Sequence, residues 1–296
     1  MIQIAVSLLP GHLPPNSLPG STAVVIDVLR ASTTIVHALA AGARAVVPCA
    51  ELDEARRVAQ ELGPAERLLG GERGGLPIAG FDLGNSPGEY TRQRVANRLV
   101  IFTTTNGTRA LAACRAARQV LVAAPVNAAA VIRRLSGEPR VHLVCAGTDG
   151  RITREDVLFA GLLVVRLSGV AAAARGADVE LNDEAVLARD VFRAVAPAPE
   201  GLLPAANDGS GAVSYHLARS AAPADTARSA EQTSAAGTVP CAPAWLVAAL
   251  TESCGGRNLV ELGLSADIDD AARLDRFDLV PLWDAARGWL VRCDVA

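Results

Sequence analysis

Short apolar runs alternate with helical patterns through the first half of the chain. Ala23-Val24-Val25-Ile26 is a continuous apolar run of strand length, and a helical pattern over 33–41 follows it, closed by Gly42. The pairing repeats. Ala45-Val46-Val47 precedes an amphipathic stretch over 51–62, with Leu52, Ala55, Val58, Ala59 and Leu62 on one face. Leu99-Val100-Ile101-Phe102 precedes a helix over 108–117, and Val120-Leu121-Val122 precedes one over 127–135. A strand over 141–144 leads to Thr153-Arg154-Glu155-Asp156, a capping-box-like start to a long helix. Such alternation predicts parallel strands with helical crossovers, an α/β layered fold.

Other stretches depart from this rhythm. Residues 1–6 lack a basic leader and read as a strand. The glycine-rich stretch 70–90 has little periodicity and reads as a long loop of the functional or mobile kind. Helices are expected over 178–196, 205–220 and 265–274, a strand over 277–282, and a last one at Trp289-Leu290-Val291, paired as a hairpin. Residues 221–256, rich in Ala, Ser, Thr and Pro, read as a flexible insertion except at 244–250. The expectation is one α/β domain over 1–296, with two lobes as an open variant.

Composition narrows the function. Half of the 296 residues are hydrophobic and a fifth are charged, so the chain buries a core without staples. A net charge of −3 argues against a general nucleic-acid binder. All 28 cationic residues are Arg, which excludes lysine Schiff bases and a P-loop lysine. Six scattered Cys include no C-x-x-C pair, against zinc ribbons and dithiol chemistry. The most apolar stretch, 159–174, is interrupted by Arg166 and reads as too short to span a bilayer. A soluble cytoplasmic protein is expected, with no nucleic-acid or membrane partner; a homodimer stays open.

Three expected strands end in polar clusters that open helices. They are Asp27 with Arg30, Ser32 and Thr33; Thr103 to Thr105 with Asn106, Gly107, Thr108 and Arg109; and Cys145 with Gly147, Thr148, Asp149 and Arg151. If the strands are parallel, the clusters share one edge of the sheet, where ligands of open α/β sheets bind. Hydroxyls, helix N-terminal amides and Arg side chains are the parts of an oxyanion site. Carboxylates beside such a site need a neutralising cation, and Mg²⁺ bridging carboxylates to phosphate oxygens supplies one. Asp27, Glu72, Asp149, Glu155 and Asp156 are the candidate ligands; Arg30, Arg73, Arg109 and Arg151 are the candidate clamps. The residues point to a metal-assisted enzyme acting on a small phosphorylated acid. Plainer readings compete: Ser32-Thr33 as a helix N-cap, Asp149-Gly150 as a turn, Glu155-Asp156 as favourable charges at a helix start. Cys145 and Arg151 also fit the C-x5-R spacing of thiolate phosphatases.

Taken together, five ordered motifs resemble the 2-phosphosulfolactate phosphatase family. They are Val25-Ile26-Asp27-Val28-Leu29-Arg30-Ala31-Ser32-Thr33-Thr34; Gly70-Gly71-Glu72-Arg73; Gly80-Phe81-Asp82-Leu83-Gly84-Asn85-Ser86-Pro87; residues 103–109; and 145–151 running on to Glu155-Asp156-Val157. The tail fits as well, from Gly256-Arg257-Asn258-Leu259 through Asp267-Ile268 to Asp278-Leu279-Val280-Pro281. The resemblance implies a three-layer α/β/α sandwich with a mostly parallel or mixed sheet. It implies Mg²⁺-dependent hydrolysis of (2R)-O-phospho-3-sulfolactate, a step of coenzyme M biosynthesis, or of a related 2-phospho-hydroxy acid. Its motif positions fall on the acids and Arg residues named above and on Asn85-Ser86, a loop facing them; Asp27, Arg30, Arg73, Arg109 and Asp149 are the expected catalytic residues. The expected substrate-binding positions are Ser32, Thr33, Asn85, Ser86, Thr104, Thr105, Asn106, Gly107, Thr108, Gly147, Thr148 and Arg151. Water or Asp27 is the nucleophile. The alternatives are a non-catalytic binder of a small anionic metabolite and a phosphatase using the Cys145 thiolate.

Overall fold

The computed structural model describes residues 1–175, 178–197 and 242–294. Its elements in chain order are β1 (Ile2–Ser7), β2 (Thr22–Ile26), α1 (Ala31–Ala40), β3 (Ala45–Pro48), α2 (Leu52–Gln60), β4 (Arg67–Arg73) and β5 (Leu76–Pro77). Then follow α3 (Arg92–Val95), β6 (Leu99–Thr103), α4 (Gly107–Ala113), β7 (Gln119–Ala123), α5 (Ala128–Leu135) and β8 (Arg140–Cys145). The rest are α6 (Arg154–Arg175), β9 (Val179–Leu181), α7 (Asp183–Val195), α8 (Ala244–Thr251), α9 (Cys254–Glu261), α10 (Ser265–Ala271), β10 (Val280–Asp284) and β11 (Trp289–Cys293).

The strands form one mixed, mostly parallel sheet in the order β5-β4-β6-β3-β11-β10-β7-β2-β8-β1-β9, with helices on both sides. Alternation inside β2 shows how the layers form. Val24 and Ile26 pack on the face covered by α5, α6 and α7, while Ala23 and Val25 pack against α1 on the other. The parallel expectation holds within two blocks, β4-β6-β3 and β7-β2-β8-β1-β9. It fails between them, because the antiparallel β10–β11 hairpin is inserted there, each of its strands joined to its block by a single bridged pair, Leu282 to Leu121 and Leu290 to Val46. The polar ends of β2 and β6 therefore do not share one continuous parallel edge. They meet because α1 is buried between the blocks, its Ile35, Val36 and Leu39 packed with Val46, Phe102, Val122 and Leu290.

Several boundaries differ from the sequence reading. The expected loop 70–90 contains β4 and β5. β4 has no β-branched residue, so its propensity hid it; pairing with β6 in register from Arg67–Leu99 to Gly71–Thr103 holds it instead. The helix expected over 178–196 starts only after β9, where Asn182 accepts from Ala185 N to cap α7. Within the expected insertion, 244–256 is ordered as α8 and the start of α9; residues 221–241 and the helix expected over 205–220 lie outside the described residues. Helix α6 is longer than the apolar run suggested. By length and composition alone residues 154–173 could cross a membrane, yet 67% of that window is buried inside the fold, and its Arg166 is paired with Asp275 at 3.0 Å.

Candidate active site

The loop after β2 is tied into a tight hook by its own polar atoms. Asp27 N donates to Ser32 Oγ at 2.9 Å, and Ala31 N donates to Asp27 Oδ1 at 3.1 Å. Thr33 Oγ1 donates to the Val28 carbonyl and Thr34 Oγ1 to that of Asn85. Ser32 and Thr33 thus lie inside α1 rather than capping it, and their hydroxyls are spent on backbone; Asp27 serves the first free amide. The hook leaves Asp27 Oδ2 without a donor and facing the start of α4. A β-carbon at Gly107 would stand 2.8 Å from that oxygen and 2.6 Å from the Ala31 methyl, so only glycine lets the two loops close.

A cavity of about 440 Å³ opens at this junction. Asp27, Arg30, Glu72, Asn85, Thr104, Thr105, Asn106, Thr148 and Asp149 line it, nine of the positions singled out in the sequence. Asp27, Glu72 and Asp149, distant in sequence, therefore line one cavity. Gly74, Gly75, Leu29 and the first turns of α9, including Cys254, Gly255, Arg257 and Asn258, complete it.

The remaining candidates lie outside the lining. Arg73 donates to the carbonyls of Glu72 and Ala50 and to Thr103 Oγ1, bracing β4 rather than clamping a ligand. Arg109 and Arg151 are exposed, and Thr148 and Arg151 close a small turn on each other. Thr108 Oγ1 is bonded to the Thr104 carbonyl, and Gly147 N to Asp156 Oδ2. Ser86 Oγ joins Arg30 and Asp267.

Hydrogen-bond accounting separates the acids. Glu72 is held in place: Oε1 accepts from Thr105 N at 2.8 Å and Oε2 from Gly75 N at 2.7 Å. Asp156 is fully occupied, with Oδ1 accepting from Val28 N at 2.9 Å and Oδ2 from Gly147 N at 3.0 Å. That overturns the capping-box reading: Asp156 staples the β2 and β8 loops together. Glu155, by contrast, is 2% exposed and its Oε2 has no partner. It lies just behind the cavity wall, where Gly255 admits it: a β-carbon there would be 2.5 Å from Oε1.

Burial pushes the Asp27 carboxyl up to about 7; the Ala31 amide opposes this, the charges of Glu72 and Glu155 add to it, and Arg30 pulls back. Burial likewise raises Glu155, against the pull of its neighbouring hydroxyls and Arg257. The one buried cation at this end, Arg30, is spent on Asp267 at 2.6 Å, Ser86 and the Gly75 carbonyl. Of the cations lining the cavity this leaves Arg257, among the described residues, without a carboxylate partner, against Asp27, Glu72 and Asp149. Among the described residues no three carboxylate, imidazole or thiolate groups converge on one point. The donors present are hard oxygens; Asp27 Oδ2, Glu155 Oε2 and the Asp149 carboxylate oxygens accept no hydrogen bond among the described residues. That suits Mg²⁺, which takes one or two carboxylates and fills its octahedron with water and substrate oxygens.

The thiolate alternative fails on geometry. Cys145 is fully buried in β8 within the hydrophobic core, does not line the cavity, and burial together with Asp156 and Glu155 pushes its thiol well up.

A family model for 2-phosphosulpholactate phosphatase matches residues 7–211, more than half of the chain. The chain belongs to the 2-phosphosulfolactate phosphatase family. It is 45% identical over 184 residues to "Probable 2-phosphosulfolactate phosphatase" of Symbiobacterium thermophilum, covering 62% of this chain and 77% of that protein. A protein of the same name from Clostridium perfringens is 40% identical over 194 residues, covering 64% and 76% of the two chains. One from a Synechococcus strain is 43% identical over 186 residues, covering 62% and 74%. In this member of the 2-phosphosulfolactate phosphatases the wall made by α9 lies beyond the matched segment, and sequence reasoning placed part of it in an insertion. The signal available was Ser253 followed by Gly255-Gly256 and Arg257: a cap residue, then glycines permitting close approach, then a charge.

Proposed function

We propose that the chain hydrolyses 2-phosphosulfolactate at the cavity between β2, β4, β6 and α9, as a phosphoric monoester hydrolase giving 3-sulfolactate and phosphate. The observation that carries this is Asp27, family motif and buried acid at once, presenting one unbonded carboxylate oxygen into a polar cavity lined by threonines and helix-start amides. Water oxygen forms the new bond to phosphorus, and the oxygen on C2 of the substrate leaves as the alcohol.

Asp27 and Glu155 would hold Mg²⁺, which supplies neutralisation of the phosphoryl oxygens and polarises the phosphorus. The chain's own work is positioning. Asp156 fixes the loops after β2 and β8 relative to each other. Glu72 fixes Thr105 and Gly75 through their amides, so the loop after β6 holds still while Thr104, Thr105 and Asn106 face the ligand. Arg30, bound to Asp267 and Ser86, sets the Asn85-Ser86 loop against the same wall. Thr104 Oγ1 and Asn85 Oδ1 are buried without partners, as groups awaiting a polar ligand are.

The reading includes a cytoplasmic enzyme whose product feeds coenzyme M biosynthesis; a related 2-phospho-hydroxy acid is the alternative substrate. The test is phosphate release from 2-phosphosulfolactate and from 2-phospholactate with Mg²⁺ and with EDTA. Turnover lost in EDTA and restored by Mg²⁺ is expected; turnover indifferent to EDTA would remove the metal, and none on either substrate would remove the activity.

A further inference from the structure

The ligand proposed above carries three anionic groups, a phosphate, a carboxylate and a sulfonate, and the cavity wall is itself acidic. Asp27, Glu72, Asp149 and Glu261 line it against two cations, Arg30 and Arg257. Arg30 has its charge taken up by Asp267 at 2.6 Å. Arg257 is the other case. Among the described residues it forms no ion pair; its one bond runs from Nη1 to the Glu252 carbonyl, leaving the rest of the guanidinium fork uncommitted. It sits one turn into α9, whose start is held by Ser253 Oγ accepting from Gly256 N at 3.0 Å. Two further observations mark this as a place for a polar ligand: Thr104 and Asn85, 2% and 5% exposed, line the same cavity with Thr104 Oγ1 and Asn85 Oδ1 unpartnered.

We propose that Arg257 on α9 is the clamp for a second anionic group of the substrate, its carboxylate or sulfonate, and so makes the enzyme select phosphate esters that are anionic at both ends. This rests on the phosphatase reading. A guanidinium presents parallel N–H donors that match two oxygens of a carboxylate or sulfonate, which a point charge does not. The phosphoryl group belongs at the Asp27 end, where Asp27 and Glu155 would hold the metal and the threonine hydroxyls lie; the distal anion then falls to the lining cation that no carboxylate neutralises. Asp149 and Glu261 repel a second anion from the rest of the rim, so the charge pattern orients as well as attracts.

The experiment uses the full chain with Mg²⁺ and two probes, 3-sulfolactate and inorganic phosphate, titrated separately by calorimetry into the wild type, Arg257→Met and Arg257→Lys. Arg257→Met is expected to weaken 3-sulfolactate by about ten-fold or more and phosphate by less than about three-fold, with Arg257→Lys between it and the wild type. The kcat/KM preference for 2-phosphosulfolactate over p-nitrophenyl phosphate is expected to fall by about ten-fold or more, chiefly through KM. Unchanged 3-sulfolactate binding in Arg257→Met, equal losses for both probes, or no 3-sulfolactate binding by the wild type would each overturn the clamp. Wild-type protein that binds 3-sulfolactate through Arg257 yet releases no phosphate would instead overturn the hydrolase reading and leave the clamp standing.

Discussion

The loops after β2 and β8 are neighbours built on the same plan, and they do opposite things. Each follows a buried parallel strand, each carries an acid near a helix start, and the two strands pair in register from Thr22–Val141 to Ile26–Cys145. In the β8 region Asp156 spends both oxygens on Val28 N and Gly147 N. In the β2 region Asp27 spends one, on Ala31 N, and turns the other into the cavity. One acid is a staple and the other keeps an oxygen free for a ligand. The difference is not in charge or burial, since both are buried with raised pKa values. It lies in which lone pairs the backbone has left over.

The sharpest way to break the comparison is Asp27→Asn. Turnover is expected to fall by about a thousand-fold or more, on the order of 4 kcal/mol in the barrier, because the unspent anionic oxygen is gone. Stability is expected to move the other way. The folded pKa of Asp27 is raised from 3.8 to about 7, so below 3.8 it imposes no cost, and stability is lost as pH climbs from there to about 7. Asn has no charge to bury. Without added cation the variant should therefore unfold at a higher temperature than the wild type at pH 8 and gain nothing at pH 3.5, and Mg²⁺ should raise the wild type more than the variant. Thermal unfolding at the two pH values, with and without Mg²⁺, reads this. A variant that melts lower than the wild type at pH 8 would mean Asp27 is another staple.

Asp156→Ala tests the opposite arm. It orphans two buried amides, Val28 N and Gly147 N, at about 1–3 kcal/mol each. Chemical denaturation should show a loss of about 2–5 kcal/mol, and the protein that stays folded should retain Mg²⁺ binding. A stable variant that no longer binds Mg²⁺ would transfer Asp156 from staple to ligand.

How much of this was legible beforehand follows the same division. The strands that were read correctly, such as Leu99 to Phe102, are β-branched or aromatic runs whose partners on either face are apolar. β4 was missed because Arg67-Leu68-Leu69-Gly70-Gly71 has no such signature; its neighbours impose the strand. Asp27, Glu72 and Asp149 were recognised as companions from motif content, and the cavity gathers them, although the parallel edge that was to do so is interrupted by the β10–β11 hairpin. What composition could not reveal is hydrogen-bond economy: Arg30 and Arg73 are both Arg beside an acid, yet one lines the cavity in a buried ion pair and the other braces backbone carbonyls. Nor could it reveal α9, which the chain brings in from residue 254 to a wall begun at residue 27.

Gly107→Ala sharpens the comparison without altering any charge. The added methyl would stand 2.6 Å from the Ala31 methyl and 2.8 Å from Asp27 Oδ2, so the β2 hook must yield while the β8 staple is untouched. A loss of about 1–3 kcal/mol in stability is expected from overpacking, with kcat falling more than KM rises because the free carboxylate oxygen of Asp27 is displaced. Kinetics indistinguishable from wild type would show that the hook tolerates movement and that Asp27 needs no fixed position.

The smallest effect is expected at Cys145, which ends β8 in the core beside Ile26. Cys145→Ala removes one buried sulfur atom from a site with no access to the cavity, at about 1 kcal/mol by the area it buries. Phosphate release should persist at nearly the wild-type rate. Thiol reagents should leave Cys145 unlabelled in the folded protein, since its thiol is held protonated as well as covered. Abolished turnover in a variant of normal stability would reverse the assignment, making the β8 region the reacting one and the β2 hook its support.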